Sequence, residues 1–366
     1  MVDVIELPIL LMFATDTNKF TDTAPQKATN LWFPKQVLVT PDAFKQDWGQ
    51  QIIERVKSFN IPVKKLAQNR ISGLRGKNER ETYAIAKNTL AIVNAPAGQL
   101  KLTPIPPSAD WQFHLAQGCP AHCQYCYLAG SLSGVPVVKV YANLPQILDN
   151  LSQYERANRE TSYEVSCYTD PLGIEHLTGS LAECIRYFGT RNNAHLRWVS
   201  KFDCIDSLLD LPHNQNTRCR VSVNADPVSH SMEGGTATVA NRLQGLKKLA
   251  QHDYPIGIVI APIMAIADWQ THYTNLFDLI EQTIDVKCDL TFELITHRFT
   301  PKSKEILQTW YPNSKLDLEV DKRNQKRNKF GGVKYVYDRD TMNELKEFIG
   351  SQIRTRFNNA QILYWT

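Results

Sequence analysis

The sequence predicts an α/β fold whose main part is a partial (β/α)6 TIM-type barrel, with a small α/β extension before it and a β-hairpin/helix segment after it. Two observations support this prediction. Short apolar segments alternate with helix-like segments between residues 111 and 295, and runs such as 256–260 are continuously apolar, as in strands covered on both faces. Six such units are too few for a complete eight-fold barrel, so we expect a barrel that is open on one side.

The first 107 residues predict the small N-terminal α/β extension. Residues 5–13 are apolar, but acidic residues precede and interrupt this run and it is too short to span a bilayer, so we expect no export and no membrane span. Residues up to about 34 are polar and predict an irregular lead-in. The expected elements are then a strand at 36–40, a helix at 42–59, a strand at 63–66 and a solvated charged loop at 67–82, which we prefer to a nucleic-acid contact.

Prolines at 104, 106 and 107 mark a boundary, and residues 108–300 are expected to form the barrel. The predicted strands are 111–117, 163–168, 196–202, 218–223, 255–263 and 290–295. The predicted helices are 143–159, 180–188, 204–211, 237–251 and 271–284.

Active sites of such barrels lie at the carboxyl ends of the strands. Every predicted strand of this chain is followed there by polar or otherwise unusual residues. They are the cysteine-rich loop after the first strand, 166–170, Lys201, 222–226, 261–262 and 296–300.

The last part of the chain, 301–366, departs from the barrel pattern. It contains a basic run at 321–329, followed by a predicted strand at 334–337, a helix at 342–356 and a strand at 361–365. The basic run is either a solvated loop or, with the adjacent hairpin, a clamp for phosphate groups.

Composition limits the function classes. Hydrophobic residues make up 43% and charged residues 21% of the 366 residues, as in ordinary soluble globular proteins. The net charge of +4 permits a polyanionic partner without requiring one. Eight cysteines in a chain this long are not a disulfide scaffold, so we expect a reducing, cytoplasmic location.

Three cysteines, Cys119, Cys123 and Cys126, stand at C-x3-C-x2-C spacing directly after the first barrel strand. Thiolates at such short spacing hold iron–sulfur clusters, and three thiolates leave one iron of a 4Fe-4S cluster open to another ligand. The plainer alternatives are a zinc site completed by His122 or His114, and buried cysteines without any ligand.

The spacing resembles that of the radical S-adenosylmethionine superfamily, and the chain from about residue 35 to its last residue resembles the spore photoproduct lyase family. The matching blocks are 118–128, 166–170, 173–178, 198–202, 221–226, 261–263, 292–300 and 334–337. The resemblance implies a DNA-repair lyase that splits a thymine dimer flipped out of the duplex. It further implies a 4Fe-4S cluster on the three cysteines, S-adenosylmethionine, an electron donor such as flavodoxin or ferredoxin, and a monomer.

The resemblance also implies residue roles. Cys167 would donate a hydrogen atom to the thymine radical, and Tyr127, with Tyr125 beside it, would relay hydrogen back to the sulfur. Position by position, the S-adenosylmethionine contacts would be Tyr127, Thr169, Asp170, Lys201, Ser222 and Ala261. The residue types alone leave open that Lys201 and Asp170 form a plain ion pair and that Cys167 is a small buried apolar residue.

The substrate-binding residues implied are Lys326, Arg327, Lys329 and Phe330. Two positions differ from the family pattern. Tyr168 and Thr169 follow Cys167 where Thr-Ser is expected, and Lys329-Phe330 stands in place of Arg-Tyr. Lysine lacks the bidentate fork of arginine and phenylalanine lacks a hydroxyl, so these differences bear on the substrate and not on the radical chemistry. The alternatives are a related radical enzyme with another nucleic-acid or nucleotide substrate, and a non-catalytic metal-binding module.

Overall fold

The computed structural model describes residues 31–132, 134–285, 288–327 and 331–366. The predictions for residues 5–13 and for Lys329 and Phe330 lie outside these residues. The strands are β1 (Gln36–Val39), β2 (Val63–Lys65), β3 (Thr89–Val93), β4 (Thr103–Ile105), β5 (Ala109–Phe113), β6 (Ala116–Gln117), β7 (His122–Cys123), β8 (Val138–Tyr141), β9 (Thr161–Val165), β10 (Ala194–Ser200), β11 (Thr217–Val223), β12 (Glu233–Gly234), β13 (Ile256–Ile263), β14 (Leu290–Thr296), β15 (Asn324–Arg327), β16 (Val333–Val336) and β17 (Gln361–Trp365). The helices are α1 (Pro41–Phe44), α2 (Asp47–Ser58), α3 (Glu79–Lys87), α4 (Ala97–Leu100), α5 (Leu128–Ser131), α6 (Leu144–Leu151), α7 (Glu175–Thr178), α8 (Ser180–Gly189), α9 (Asp226–Met232), α10 (Val239–Gln251), α11 (Trp269–Thr283), α12 (Pro301–Trp310) and α13 (Arg339–Arg356).

The main sheet confirms the predicted partial barrel. Its order is β17-β14-β13-β11-β10-β9-β5-β4, so the six predicted strands lie side by side in chain order and pair in parallel. The last strand, β17, adds a further parallel strand next to β14, and β4 pairs antiparallel with β5 at the other edge. Parallel strands that are covered on both faces explain the continuous apolar runs of the sequence.

Two predicted barrel elements are wrong in detail. The segment 111–117 is not one strand, because the chain leaves the main sheet after Phe113 and enters a second sheet at Ala116 as β6. The predicted helix at 204–211 is only a single 3-10 turn at Asp206–Leu208. Both segments are rich in apolar residues. Apolar content alone does not show whether a strand is interrupted or whether a helix is longer than one turn.

The second sheet has the order β2-β1-β3-β8-β6 and lies beside the start of the barrel. Strands β6 and β8 come from after residue 107, so the extension shares this sheet with the segment that carries the three cysteines. The boundary near residue 107 stays a prediction about domain organisation. A loop was expected over 67–82, but helix α3 begins at Glu79 after Asn78, whose side chain accepts a hydrogen bond from the Glu81 amide at 2.9 Å.

Most of the apolar core is one continuous cluster that includes residues of both sheets. The concave interior of the barrel instead holds charged side chains. Arg220 is 2% exposed and contacts Glu164 of β9 and, at 2.7 Å, Glu293 of β14. Strands β9 and β14 are not neighbours in the sheet, so this contact spans the interior. In the part of the chain that the structure describes, no helix is both long and apolar enough to cross a bilayer.

Candidate active site

The three cysteines of the C-x3-C-x2-C sequence line one cavity of about 400 Å³. We call residues 118–126 the cysteine loop. It starts at Gly118, whose φ of +81° and whose close approach to the Val137 carbonyl oxygen leave no room for a side chain; a Cβ there would lie 2.4 Å from that oxygen. The glycine therefore lets the chain turn from β6 into the loop.

Contacts from other elements hold the cysteine loop in place. The Lys87 ammonium of α3, which is buried, donates hydrogen bonds to the carbonyl oxygens of Cys119 and Ala121. Strand β7 pairs with β12, and the Gln124 amide donates to the Met232 carbonyl at 2.9 Å. The loop is thus fixed from both the N-terminal extension and the barrel.

The donor set of this loop fits an iron–sulfur cluster better than a single metal ion. Burial raises the pKa of the Cys119 thiol to about 12 and also raises the pKa of Cys123 and Cys126, so ligation must displace their protons. Among the described residues, no group of three or more His, Cys, Asp or Glu side chains meets at one point as the ligands of a single ion do. The ligands of a four-iron cube attach to separate corners instead.

The histidines that would complete a zinc site have other contacts. The His122 Nδ1 atom lies 2.9 Å from the Tyr83 hydroxyl, and the His114 ring stacks on Tyr168 with ring centroids 4.4 Å apart. Neither arrangement joins a histidine to the three thiols as a fourth ligand.

The residues at the strand ends form a second group, which we call the strand-end cluster. The Lys201 ammonium after β10 donates to the Ser222 hydroxyl at 2.9 Å and to the Ala261 carbonyl at 3.3 Å. It also forms an ion pair with Glu233 at 2.7 Å. The structure therefore brings together three of the residues predicted to contact S-adenosylmethionine, on three neighbouring strands.

The sequence left open an ion pair between the side chains of Lys201 and Asp170, and the structure contradicts this alternative. The Asp170 carboxylate accepts hydrogen bonds from the backbone amide of Lys201 and from the Ser200 hydroxyl, both at 2.7 Å. Burial raises the pKa of Asp170, and these hydrogen bonds oppose that rise. Next to it, the buried Thr169 hydroxyl oxygen has no hydrogen-bond partner within the described residues.

Glu233 is the residue of this site that sequence reasoning missed. Its side chain accepts a hydrogen bond from the Tyr125 hydroxyl and pairs with both Lys201 and Arg242, the latter at 2.6 Å. Burial raises its pKa, but the two cations outweigh burial and lower the pKa to about 2. Glu233 follows α9 in a segment without any motif. Its position beside the cysteine loop is seen only in the structure, where β12 pairs with β7.

Cys167 lies just beyond β9, after a sharp change of chain direction. Ser166, the preceding residue, has a φ of +62°, in the left-handed region that non-glycine residues rarely adopt. Burial raises the pKa of the Cys167 thiol; Glu164 raises it further and Arg220 opposes the rise. The sulfur consequently keeps its proton at neutral pH.

The two tyrosines of the cysteine loop region reach different neighbours. The Tyr127 hydroxyl donates to the carbonyl oxygen of Cys167, and the Tyr127 side chain is 56% exposed. Tyr125 is turned to Glu233 instead. Tyr127 is thus beside the predicted hydrogen donor, whereas Tyr125 belongs to the strand-end cluster.

A β-hairpin carries the described part of the basic run. Strands β15 and β16 pair antiparallel, with Lys326 opposite Lys334 and Arg327 opposite Val333, and the side chains of Lys326 and Arg327 are exposed. Tyr335 of β16 exchanges two backbone hydrogen bonds with Phe299, at 3.2 and 2.7 Å. Because Phe299 follows β14, the hairpin is attached at the strand-end edge of the barrel.

Comparison with known proteins gives a consistent result. Residues 32–366 match the family model described as spore photoproduct lyase. The spore photoproduct lyase of Bacillus subtilis is 37% identical over 342 residues, which cover 92% of this chain and 99% of that protein. The spore photoproduct lyase of a Geobacillus species is 39% identical over 338 residues, covering 91% and 98%.

Solved structures agree with the sequence comparisons. A spore photoproduct lyase complexed with dinucleoside spore photoproduct superposes with a TM-score of 0.88 at 35% identity, covering 92% of this chain and all of that one. A mutant of spore photoproduct lyase with bound AdoMet and dinucleoside spore photoproduct matches equally well. The chain therefore belongs to the spore photoproduct lyase family.

Proposed function

We propose that this protein is an S-adenosylmethionine-dependent DNA-repair lyase that converts the spore photoproduct, 5-thyminyl-5,6-dihydrothymine, back to two thymines. One observation supports this most directly. The strand-end cluster and the protonated Cys167 thiol lie at the carboxyl ends of the barrel strands, and the cysteine loop region contacts both, through Tyr125 to Glu233 and through Tyr127 to Cys167. A structure of a similar protein, a mutant of spore photoproduct lyase, holds AdoMet and dinucleoside spore photoproduct.

Two groups of residues would hold the cofactors. Cys119, Cys123 and Cys126 would ligate three irons of a 4Fe-4S cluster. S-adenosylmethionine would lie against Tyr127 and the strand ends, at Thr169, Asp170, Lys201, Ser222 and Ala261. Lys201 would supply a positive charge for the carboxylate of S-adenosylmethionine. The Thr169 hydroxyl, which has no hydrogen-bond partner among the described residues, would supply a hydrogen bond. Together these cofactors supply the 5'-deoxyadenosyl radical that takes a hydrogen atom from the lesion.

Cys167 would complete the repair. After the carbon–carbon bond between the thymines breaks, one thymine carries a methylene radical. The S–H bond of Cys167 then breaks and a C–H bond forms, which leaves a methyl group on the thymine and a thiyl radical on the protein. A thiol is required for this step, and burial keeps the sulfur protonated.

Tyr127 would restore the thiol. Its hydroxyl hydrogen passes to the Cys167 sulfur, and the tyrosyl radical then takes a hydrogen atom back from 5'-deoxyadenosine. The hydrogen bond from the Tyr127 hydroxyl to the Cys167 backbone carbonyl supports this role, because it places the hydroxyl at the residue that carries the thiol. Tyr125, through Glu233, would orient Lys201 from the other side of the loop.

The hairpin would hold the damaged DNA. A dimer inside the duplex cannot reach a thiol at the end of a barrel strand, so the lesion must leave the stack. Lys326 and Arg327, with Lys329 and Phe330, would contact the strand from which it is extruded. We also propose that the protein acts as a monomer in the cytoplasm, with flavodoxin or ferredoxin as the electron donor.

The test is repair of a dinucleotide lesion by anaerobically reconstituted, reduced protein. We expect restored thymine, and its complete absence together with no 5'-deoxyadenosine would refute the proposal. Cleavage of the cofactor without restored thymine would indicate another nucleic-acid substrate.

Cys167→Ala separates the donor role from the rest of the mechanism. This variant should still consume the lesion but divert it to by-products, because the thymine radical no longer receives a hydrogen atom. Cys288→Ala is the matched control, since Cys288 precedes β14 at the opposite edge of the sheet and should leave the products unchanged. Normal thymine yield from Cys167→Ala would exclude the donor role.

A further inference from the structure

The cavity beside the cysteine loop is lined mainly by residues outside the strand-end cluster. Residues of α3, α4, β6, α5, β8 and α12 line it together with the three cysteines and Tyr168, but Lys201, Ser222 and Ala261 do not. We propose that its mouth is the docking site of a small acidic protein carrying a one-electron flavin or iron–sulfur group, and that electrons enter there. This inference rests on the proposed function, which requires one electron for each radical formed.

The charge of the lining indicates an anionic partner. Its charged residues, within the described part of the chain, are Lys87, Lys139 and Lys302, with no Asp or Glu among them. Lys87 is bonded to the cysteine loop, whereas the ammonium groups of Lys139 and the exposed Lys302 have no hydrogen bond or ion pair there. Burial lowers the pKa of Lys139, so an anionic neighbour would stabilise its charged form. Unpaired cations around one opening attract acidic surfaces.

Aromatic rings connect the edge of the cavity with the cysteine loop. The Trp310 ring lies 4.9 Å from the Tyr83 ring, and the Tyr83 ring lies 5.8 Å from the ring of His122, between centroids. His122 stands between Cys119 and Cys123 in the sequence, and its Nδ1 atom is hydrogen-bonded to the Tyr83 hydroxyl. Electron tunnelling falls steeply with distance, so contiguous rings shorten the gaps between a donor at the surface and a cluster on the loop.

Helix α12 separates this opening from the DNA side. Lys302 and Trp310 line the cavity, whereas Lys304 and Glu305 line a different groove together with Tyr335 of the hairpin. Glu305, the one carboxylate of this helix, thus lies away from the opening. A reductant at the cavity and lesion DNA at the hairpin can therefore be bound at the same time.

The electron transfer is balanced without a proton. The donor loses one electron and the cluster gains it, so a flavin hydroquinone ends as the semiquinone. The probe is flavodoxin reduced to the hydroquinone, mixed anaerobically with reconstituted protein while the visible absorbance of the cluster is followed. The variant is Lys302→Glu, and Lys304→Glu is the matched control with the same charge change on the other face of α12.

We expect Lys302→Glu to slow reduction by flavodoxin on the order of tenfold at low salt, with the difference vanishing at high salt. The cluster of Lys304→Glu should be reduced by flavodoxin at the wild-type rate. Reduced methyl viologen, a small cationic reductant, should reduce both variants as fast as the wild type. Titration calorimetry with oxidised flavodoxin should show a matching loss of affinity for Lys302→Glu alone, which is a readout independent of catalysis.

Three results would overturn the docking site. The first is an equal rate of cluster reduction by flavodoxin in Lys302→Glu and Lys304→Glu. The second is slower reduction of Lys302→Glu by methyl viologen as well as by flavodoxin. The third is weaker binding of lesion DNA to Lys302→Glu with an unchanged rate of reduction, which would assign Lys302 to the DNA surface. Failure of the proposed function is distinguishable. Suppose that reduction by flavodoxin is slowed in Lys302→Glu alone, while the wild type restores no thymine. This result would support the docking site and refute the proposed substrate. A wild-type protein that assembles no cluster refutes both.

Discussion

The strand-end cluster and the hairpin are both predicted to bind ligands, but they are built differently. In the cluster, the Lys201 side chain is 16% exposed and its ammonium has three partners, one of them the fully buried Glu233 carboxylate. In the hairpin, the side chains of Lys326 and Arg327 are exposed and make no hydrogen bond or ion pair within the described residues. The strand-end cluster therefore holds the Lys201 ammonium in one position, whereas the hairpin supplies positive charge without fixing where it lies.

This difference matches what each ligand requires. A radical must be formed within reach of one hydrogen atom, so the cofactor needs side chains whose positions are set before it binds. Phosphate groups can be bound by mobile cations, which position a strand without reading its sequence. Mutations in the two regions should therefore differ in kind as well as in size.

The largest effect is expected for Glu233→Gln. The change leaves the ammonium of Lys201 and the buried guanidinium of Arg242 without their counter-ion, and breaking a buried ion pair costs about 3–5 kcal/mol. Urea unfolding of the cluster-free protein measures this loss. Affinity for S-adenosylmethionine should fall as well, because Lys201 loses the partner that orients it.

Glu319→Gln is the matched control for that substitution. Glu319 pairs with Lys322 at 2.8 Å, but both side chains are 66% exposed, so its loss should change the free energy of unfolding by less than about 0.5 kcal/mol. Equal losses in the two variants would contradict the contrast between buried and exposed charge.

A smaller effect is expected in the acid dependence of stability. The pKa of Glu233 is about 2 in the folded protein and 4.5 for an ordinary glutamate. The stabilisation is thus complete above pH 4.5 and is lost as the pH falls towards 2. Between these values the wild type should lose on the order of 3 kcal/mol more than Glu233→Gln. Parallel stability curves of the two proteins between pH 6 and pH 3 would show that Glu233 is not the group responsible.

The smallest effect is expected in the hairpin. Lys326→Ala and Arg327→Ala should each leave stability within about 0.5 kcal/mol of the wild type and reduce the salt dependence of DNA binding by about one counter-ion. The measurement is lesion-DNA affinity at several salt concentrations. An unchanged salt slope in the double variant would remove the hairpin from the DNA surface.

Much of the strand-end cluster could be predicted from the sequence because it follows local rules. Parallel strands bring their carboxyl ends to one edge, so Lys201, Ser222 and Ala261 were expected to meet although 21 and 39 residues separate them. The separation of the two sheets within residues 111–117 could not be predicted, because both parts of this segment are apolar and extended.

The residues that hold the cysteine loop could not be predicted for a different reason. Tyr83 and Lys87 lie on a helix whose first turn reads as a charged loop, and they reach the loop only through packing of the extension against the barrel. Glu233 likewise directly follows a helix, in a segment without any local pattern. Contacts that depend on the arrangement of distant elements leave no periodic signal in the chain.

The position of β17 has a practical consequence. This strand runs parallel to β14, and the backbone of Thr366 exchanges hydrogen bonds with Leu294 at 2.9 Å and Thr296 at 2.8 Å. Thr366 therefore lies at the edge of the sheet where the lesion is expected to enter. A purification tag fused after Thr366 would begin where the lesion is expected to enter. A tag inserted in the turn at 358–360, at the opposite ends of the strands, would leave the lesion site accessible.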